Sequence, residues 1–276
     1  MTVLEGLKPE KVFYFFEKLC EIPHGSTNMK EISDYLVSFA KERNLKYYQD
    51  EAYNVVIYKE ASAGYEDAPI TILQGHCDMV AEKTPDSDHD FTKDGLKLKV
   101  EGDYLTAEGT TLGGDDGIAV AYMLAILDDD TLKHPALECV ITTDEEIGLL
   151  GAKALDTSVL KGTHMINMDS EEEGYLWISC AGGLSGTSRI PVEYQEMEGV
   201  VTEVLIDGLN GGHSGAEIDK NRANANKLMG LFLYELGQKT AYSIKDLSGG
   251  TKDNAITRSC KATLVLGEED LAEAKI

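Results

Sequence analysis

The apolar positions open with two amphipathic helices. After Pro9, EKVFYFFEKLCEI sets Val12, Phe13, Phe16, Leu19 and Cys20 on one side of a helix, with the proline near the first turn, where its missing N–H costs nothing. STNMKEISDYLVSFAKERN repeats the spacing through Ile32, Tyr35, Leu36 and Phe39, behind Ser, Thr and Asn, residue types that cap helix starts. The period then shortens. NVVIYKE and ITILQGH predict strands, the second a compact β-branched run bounded by Pro69 and Gly75. LKLKVEGDYLTAEG predicts a short hairpin. From Gly117, GIAVAYMLAILDD has no polar face, which fits a helix packed under a sheet better than one facing water. ALECVITT and HMINMD predict further buried strands, with GLLGAKALD a short helix between them.

Helices alternating with strands that are apolar on both faces predict an α/β domain, a mostly parallel sheet with helices on both faces, over residues 1–185. Polar residues gather just beyond three of the strands, where open α/β sheets place a ligand crevice. The texture changes after CAGGLSG. TSRIPVEY and VVTEVLIDGL predict strands, NRANANKLMGLFLYELGQK a helix, AYSIKDLSG and NAITRSCKATLVLG two more strands, and EEDLAEAKI the opening of another helix. These make a smaller α+β domain over residues 186–276. A compact unit of this kind closes with one more strand, so the domain is expected to be cut short at Ile276, the alternative being a naturally short last helix.

At 276 residues the chain can build one large core or two smaller ones. Its 49 acidic against 25 basic residues give a formal charge of -24, which repels phosphate backbones and anionic lipid, so neither nucleic acid nor a membrane is an expected partner. The five cysteines are scattered without a C-x-x-C and read as reduced thiols of a cytoplasmic protein. The first residues interleave charge with apolar positions, unlike a secretory leader, and no run approaches the roughly 18 apolar residues of a membrane span.

Four clusters carry candidate chemistry: QGHCDMV with His76 and Asp78, TLGGDDGIA with Asp115 and Asp116, TTDEEIG with Glu145 and Glu146, and NMDSEEEG with Asp169. Imidazole and carboxylate together suit zinc or manganese, and carboxylates can bridge two such ions. Each cluster also has a plain reading. His76 and Asp78 can be a structural hydrogen-bonded pair, Asp115 an acidic helix cap, and Asp169 part of a solvated turn. Glu145 and Glu146 can be surface. Jointly they favour a two-metal hydrolase, which needs one carboxylate on the metal and a second, unliganded one to move a proton. There is no H-E-x-x-H, G-x-G-x-x-G or P-loop.

The segments LQGHCDMV, GTTLGGDDGIAVA, TTDEEIGLLGA, INMDSEEEG and GLNGGHSGAEI stand in the order of a known family. With them the chain resembles the di-zinc dipeptidase branch of the metallopeptidase family that contains carboxypeptidase G2 and tripeptidase T. The resemblance implies a zinc-exopeptidase-like catalytic domain, a lid or dimerisation-type second domain, a possible homodimer, and metal-dependent hydrolysis of dipeptides ending in His. It implies two divalent ions, zinc with manganese or cobalt as substitutes. His76, Asp115, Glu146 and Asp169 would be metal ligands, with Asp115 the bridge. Asp78 would orient His76, Glu145 would be the general base, and His213 would steady the oxyanion. A cis peptide is implied at Asp115–Asp116.

One feature departs from that family, whose further metal-binding His comes near the C-terminus. His24, His89, His134 and His164 lack its context. The chain is therefore expected to be an N-terminal part of a longer enzyme. An N-acyl-amino-acid amidohydrolase of the same architecture and a catalytically silent fragment acting in association are the alternatives.

Overall fold

The computed structural model describes residues 3–170, 172–180, 182, 184, 186–215, 217–250 and 252–271. Two compact units divide the chain, Met1–Tyr175 and Leu176–Ile276.

In the first unit the predicted opening helices are α1 (Glu10–Cys20) and α2 (Lys30–Glu42). Pro9 caps α1. The capping residues ahead of α2 do not cap it: Met29 occupies that position without a side-chain bond. Ser26, three residues ahead of that position, instead donates its hydroxyl to Asp78, a partner at a distant strand end. Five strands form one sheet: β1 (Lys46–Gln49), β2 (Val55–Lys59), β3 (Thr71–His76), the hairpin β4 (Leu98–Glu101) and β5 (Tyr104–Ala107) standing apart from it, then β6 (Leu137–Thr142) and β7 (His164–Asn167). The sheet order is β1-β2-β6-β3-β7. The α/β architecture is as expected, and the sheet is mixed. β3 runs parallel to β6 and β7, while β1–β2 and β2–β6 are antiparallel. Periodicity reveals which faces are buried and says nothing of direction, so the antiparallel half was not legible.

Period-2 alternation sorts the sheet's two faces. Val55, Ile57, Leu73, Cys139 and Ile141 join α1, α2 and α3 (Gly114–Leu127) in the main core, whereas Val56, Ile72 and Val140 point the other way, onto Leu155, Val159 and Leu160 after the short α4 (Leu150–Ala154). α3 is apolar all round because it lies inside this core. Asp115 and Asp116 are non-helical, so the regular helix starts at Gly117. Leu36 is fully buried among these side chains, and trimming it to Ala would cost about 2–5 kcal/mol.

In the second unit β8 (Val200–Ile206), β10 (Tyr242–Gly249) and β12 (Cys260–Leu266) form an antiparallel sheet ordered β10-β12-β8. Cys260, Ala262, Leu264 and Leu266 alternate onto α5 (Ala225–Gly237), which returns Ala225, Met229, Leu233 and Leu236. Asn224 caps α5, its side chain accepting from the N–H groups of Asn226 and Lys227. A two-residue ladder pairs β9 (Gly212–His213) with β11 (Ala255–Ile256).

The strand expected at TSRIPVEY does not form among the described residues, where Ile190, Val192 and Tyr194 are exposed. Alternation alone does not make a strand. It needs a hydrogen-bonded neighbour, and Pro191 lacks an N–H to offer one. The helix expected in EEDLAEAKI falls mostly outside the described residues. No described helix is long and apolar enough to cross a membrane.

Candidate metal centre

Four segments of the first unit bring six carboxylates around one imidazole. β3 delivers His76 at its last residue, fully buried and paired with Thr142 of β6. Its Nδ1 faces the carbonyl oxygen of Asp78 at 3.0 Å and Asp78 Oδ1 at 3.3 Å. That leaves Nε2 toward the other carboxylates: Asp115 Oδ1 at 3.1 Å, Glu145 Oε2 at 3.9 Å and Asp169 Oδ2 at 4.0 Å.

Asp78 does more than face the imidazole. Its buried carboxylate accepts the N–H of Glu145 at 2.9 Å, the N–H of Glu146 at 3.3 Å and the hydroxyl of Ser26 at 2.8 Å. Burial alone would raise its pKa, but the His76 imidazole, the Glu145 N–H and the Ser26 hydroxyl outweigh burial and hold the carboxyl below its usual range.

Asp115 and Asp116 follow the positive-φ Gly113 and are joined by a cis peptide bond, as the resemblance implies. They part company. Asp115 is more than half exposed with its carboxylate at His76 Nε2, whereas Asp116 is buried and its Oδ2 accepts the His76 backbone N–H at 3.2 Å. Gly75 makes room for this: a Cβ there would lie 2.5 Å from Asp116 Oδ2 and 3.1 Å from Ala119 Cβ.

Two sets of three residues each offer ligand atoms within 4.8 Å of one another: His76, Asp116 and Asp169, and His76, Glu145 and Glu146. Asp116 was singled out in the sequence only as a neighbour of Asp115. Of the two, Asp115 is the better ligand candidate, since its oxygen meets the imidazole nitrogen left over by Asp78, while Asp116 is already engaged by the backbone.

The electrostatics are those of a site short of positive charge. Burial opposes a charge on His76, yet the hydrogen bond and charge of Asp78, with Asp169 and Asp116, hold its pKa up at about 10. Asp116 is pushed up to about 7 by burial and by Asp169. Glu146 is likewise raised to about 7 by burial and Asp115. Glu145 and Asp169 are raised, both chiefly by burial. Among the described residues, the ion pairs of Asp78, Asp115, Glu145 and Asp169 all run to His76. Clustered carboxylates with one imidazole and no lysine or arginine among these pairs are the donor set of a divalent cation.

His213 stands in the second unit, in the ladder with Ala255. The N–H of Gly215 donates to its Nδ1 at 3.1 Å, which places the ring proton on Nε2. Its own N–H donates to Glu217, whose carboxyl is held down at about 2 by Lys220 and by that N–H. A cleft of about 480 Å³ beside it is lined by Asn254, Thr257, Arg258 and Ser259.

Residues 206–275 match the M20 peptidase dimerisation domain. The chain is 39% identical to the cytosol non-specific dipeptidase of Escherichia coli K12, over 98% of this chain and 56% of that protein. The aminoacylhistidine dipeptidase of Vibrio alginolyticus superposes with a TM-score of 0.69 at 38% identity, again over 98% of this chain and 56% of that one. The aminopeptidase PepT of Bacillus cereus shares the fold, with a TM-score of 0.51 at 18% identity, over 96% of this chain and 69% of its own. The chain thus spans about half the length of the curated relatives it matches.

Proposed function

On the premise that a chain so similar to dipeptidases along nearly its whole length shares their chemistry, we propose that it is the metal-holding part of a two-metal dipeptidase. The observation that carries this reading is the convergence of Asp115, Glu145 and Asp169 on His76 Nε2. His76 and Asp169 would hold one divalent ion, Glu146 the other, and Asp115 both. Bound there, zinc or manganese would polarise the scissile carbonyl and make water a stronger nucleophile.

The chain's own residues supply the rest. Asp78 keeps the proton on His76 Nδ1, so that Nε2 is the ligand nitrogen. Glu145 Oε takes the proton of the attacking water and returns it to the departing amine, a task suited to a carboxyl whose pKa burial has raised. His213 Nε2–H donates to the developing oxyanion, since Gly215 fixes the tautomer that carries the proton there. The domain reading is residues 1–185 for catalysis and 186–276 for a lid or dimerisation part. A cytoplasmic homodimer and preference for dipeptides ending in His complete the proposal.

A panel of Xaa-His dipeptides, other dipeptides and N-acyl amino acids, assayed with zinc or manganese and after chelation, tests it. Metal-dependent cleavage of dipeptides, fastest for Xaa-His, is expected. Cleavage of N-acyl amino acids alone would favour the amidohydrolase. Full activity after exhaustive metal removal would overturn the metal reading.

A further inference from the structure

Glu145 and Glu146 are neighbours assigned different work, so the backbone beneath them has to be held in one orientation. The loop that carries them leaves β6 at Thr143 and enters α4 beyond Leu149. Its ends meet. The N–H of Gly151 donates to the Thr143 carbonyl at 2.9 Å. Beside this bond lies the side chain of Asn54, wholly buried just before β2.

The Asn54 amide spans the neck of the loop. Its Oδ1 accepts the Thr143 N–H at 3.1 Å, while its Nδ2 donates to the Gly151 carbonyl at 2.9 Å and to Asp50 at 2.7 Å. Among the described residues its side chain hydrogen-bonds only Asp50, Thr143 and Gly151. No candidate metal ligand is among them. Gly151 is a fitting partner, because a Cβ there would press into the Thr143 carbonyl oxygen and lie 2.5 Å from Asn54 Oδ1.

We propose that Asn54 is a positioning residue for the Glu145–Glu146 pair, clipping the neck of their loop from the start of the neighbouring strand β2 while Asp78 holds its tip. Only a group that donates and accepts at once can close both ends. Aspartate lacks the donor for Gly151 and would set a second carboxylate beside Asp50, and alanine offers neither bond. Within the neck, Leu149 and Gly148 donate to the Glu145 carbonyl and Leu150 to that of Asp144, so the loop turns as one body once its ends are fixed. The clip itself is independent of any ion. Its consequence for metal binding rests on the two-metal reading above.

Hydrogen exchange of the metal-free chain, followed by titration with Zn²⁺ and Mn²⁺, tests both parts. The variants are Asn54→Ala and, should that not fold, Asn54→Ser, too short to span both partners. Val56→Ala, which opens a cavity two residues along, is the control for lost stability. Amides of residues 143–151 should exchange about tenfold faster or more in the Asn54 variants, while α3 keeps its protection and Val56→Ala leaves the loop unchanged. Metal affinity should fall about 10–100-fold in the Asn54 variants and stay at the wild-type level in Val56→Ala. Wild-type exchange in the loop of an Asn54 variant overturns the clip. A loosened loop with unchanged metal affinity, or equal loss of affinity in Val56→Ala, overturns the positioning role. If the wild-type chain binds no ion, the two-metal reading fails and the exchange result alone decides the clip.

Discussion

Asp78 Oδ1 accepts the backbone N–H of Glu145 at 2.9 Å while standing 3.3 Å from His76 Nδ1. One buried carboxylate therefore ties the imidazole at the end of β3 to the loop beyond β6. Replacing it with asparagine keeps the shape and turns an N–H toward donors that need an acceptor. Asp78→Asn should lower stability by about 1–3 kcal/mol and divalent-metal affinity by about 10–100-fold. It should also bring the His76 pKa down from about 10, since Asp78 contributes most of what raises it, ahead of Asp169 and Asp116. NMR titration of the metal-free variant and metal titration check these outcomes.

Gly75→Ala tests the close approach of β3 to α3. The added methyl would meet Asp116 Oδ2 at 2.5 Å and Ala119 Cβ at 3.1 Å, buried side-chain atoms of α3 that cannot give freely. The expected loss is about 1–3 kcal/mol in chemical denaturation, with weakened metal binding because Asp116 is driven from the His76 N–H.

Much of this site was legible because compact apolar runs end where the polar clusters begin: ITILQGH delivers His76, ALECVITT delivers Glu145 and Glu146, and the apolar helix from Gly117 stands behind Asp115. What stayed hidden depends on partners distant in the chain. Ser26 looked like a helix cap and bonds Asp78, 52 residues away. Asn54 showed no signal at all, its partners in the loop lying 89 and 97 residues on. The strand expected at Thr187–Tyr194 had the alternation but no described neighbour to pair with, and nothing in the spacing of Asp115 and Asp116 ranked one above the other.

The pH dependence follows from three raised pKa values. In the metal-free protein Glu146 and Asp116 titrate near about 7 and His76 near about 10, above the ordinary values of 4.5, 3.8 and 6.5. A raised folded pKa contributes stability that is complete below the ordinary value and lost as pH rises through the shifted one. Metal-free Tm should therefore fall between about pH 4 and about pH 7 through the carboxylates, and further from about pH 6.5 to about pH 10 through His76. Ion binding displaces these protons, so the rise in Tm on adding Zn²⁺ should grow across the same window. Calorimetry at several pH values reads both slopes, and a metal-free Tm climbing through this range would contradict them.

His213→Ala should leave metal stoichiometry unchanged and lower kcat of the active enzyme about 10²–10³-fold, the scale of losing one oxyanion donor. Unaltered kcat would remove His213 from the mechanism.

The most direct test of the account is Glu145→Gln, with metal content and dipeptide hydrolysis measured on the same sample. The substitution keeps the side chain's size and the backbone N–H held by Asp78, and removes the group that moves the proton. The account predicts two bound divalent ions, as in the wild type, with hydrolysis down about 10²–10⁴-fold. Two ions bound with hydrolysis near the wild-type rate would contradict it.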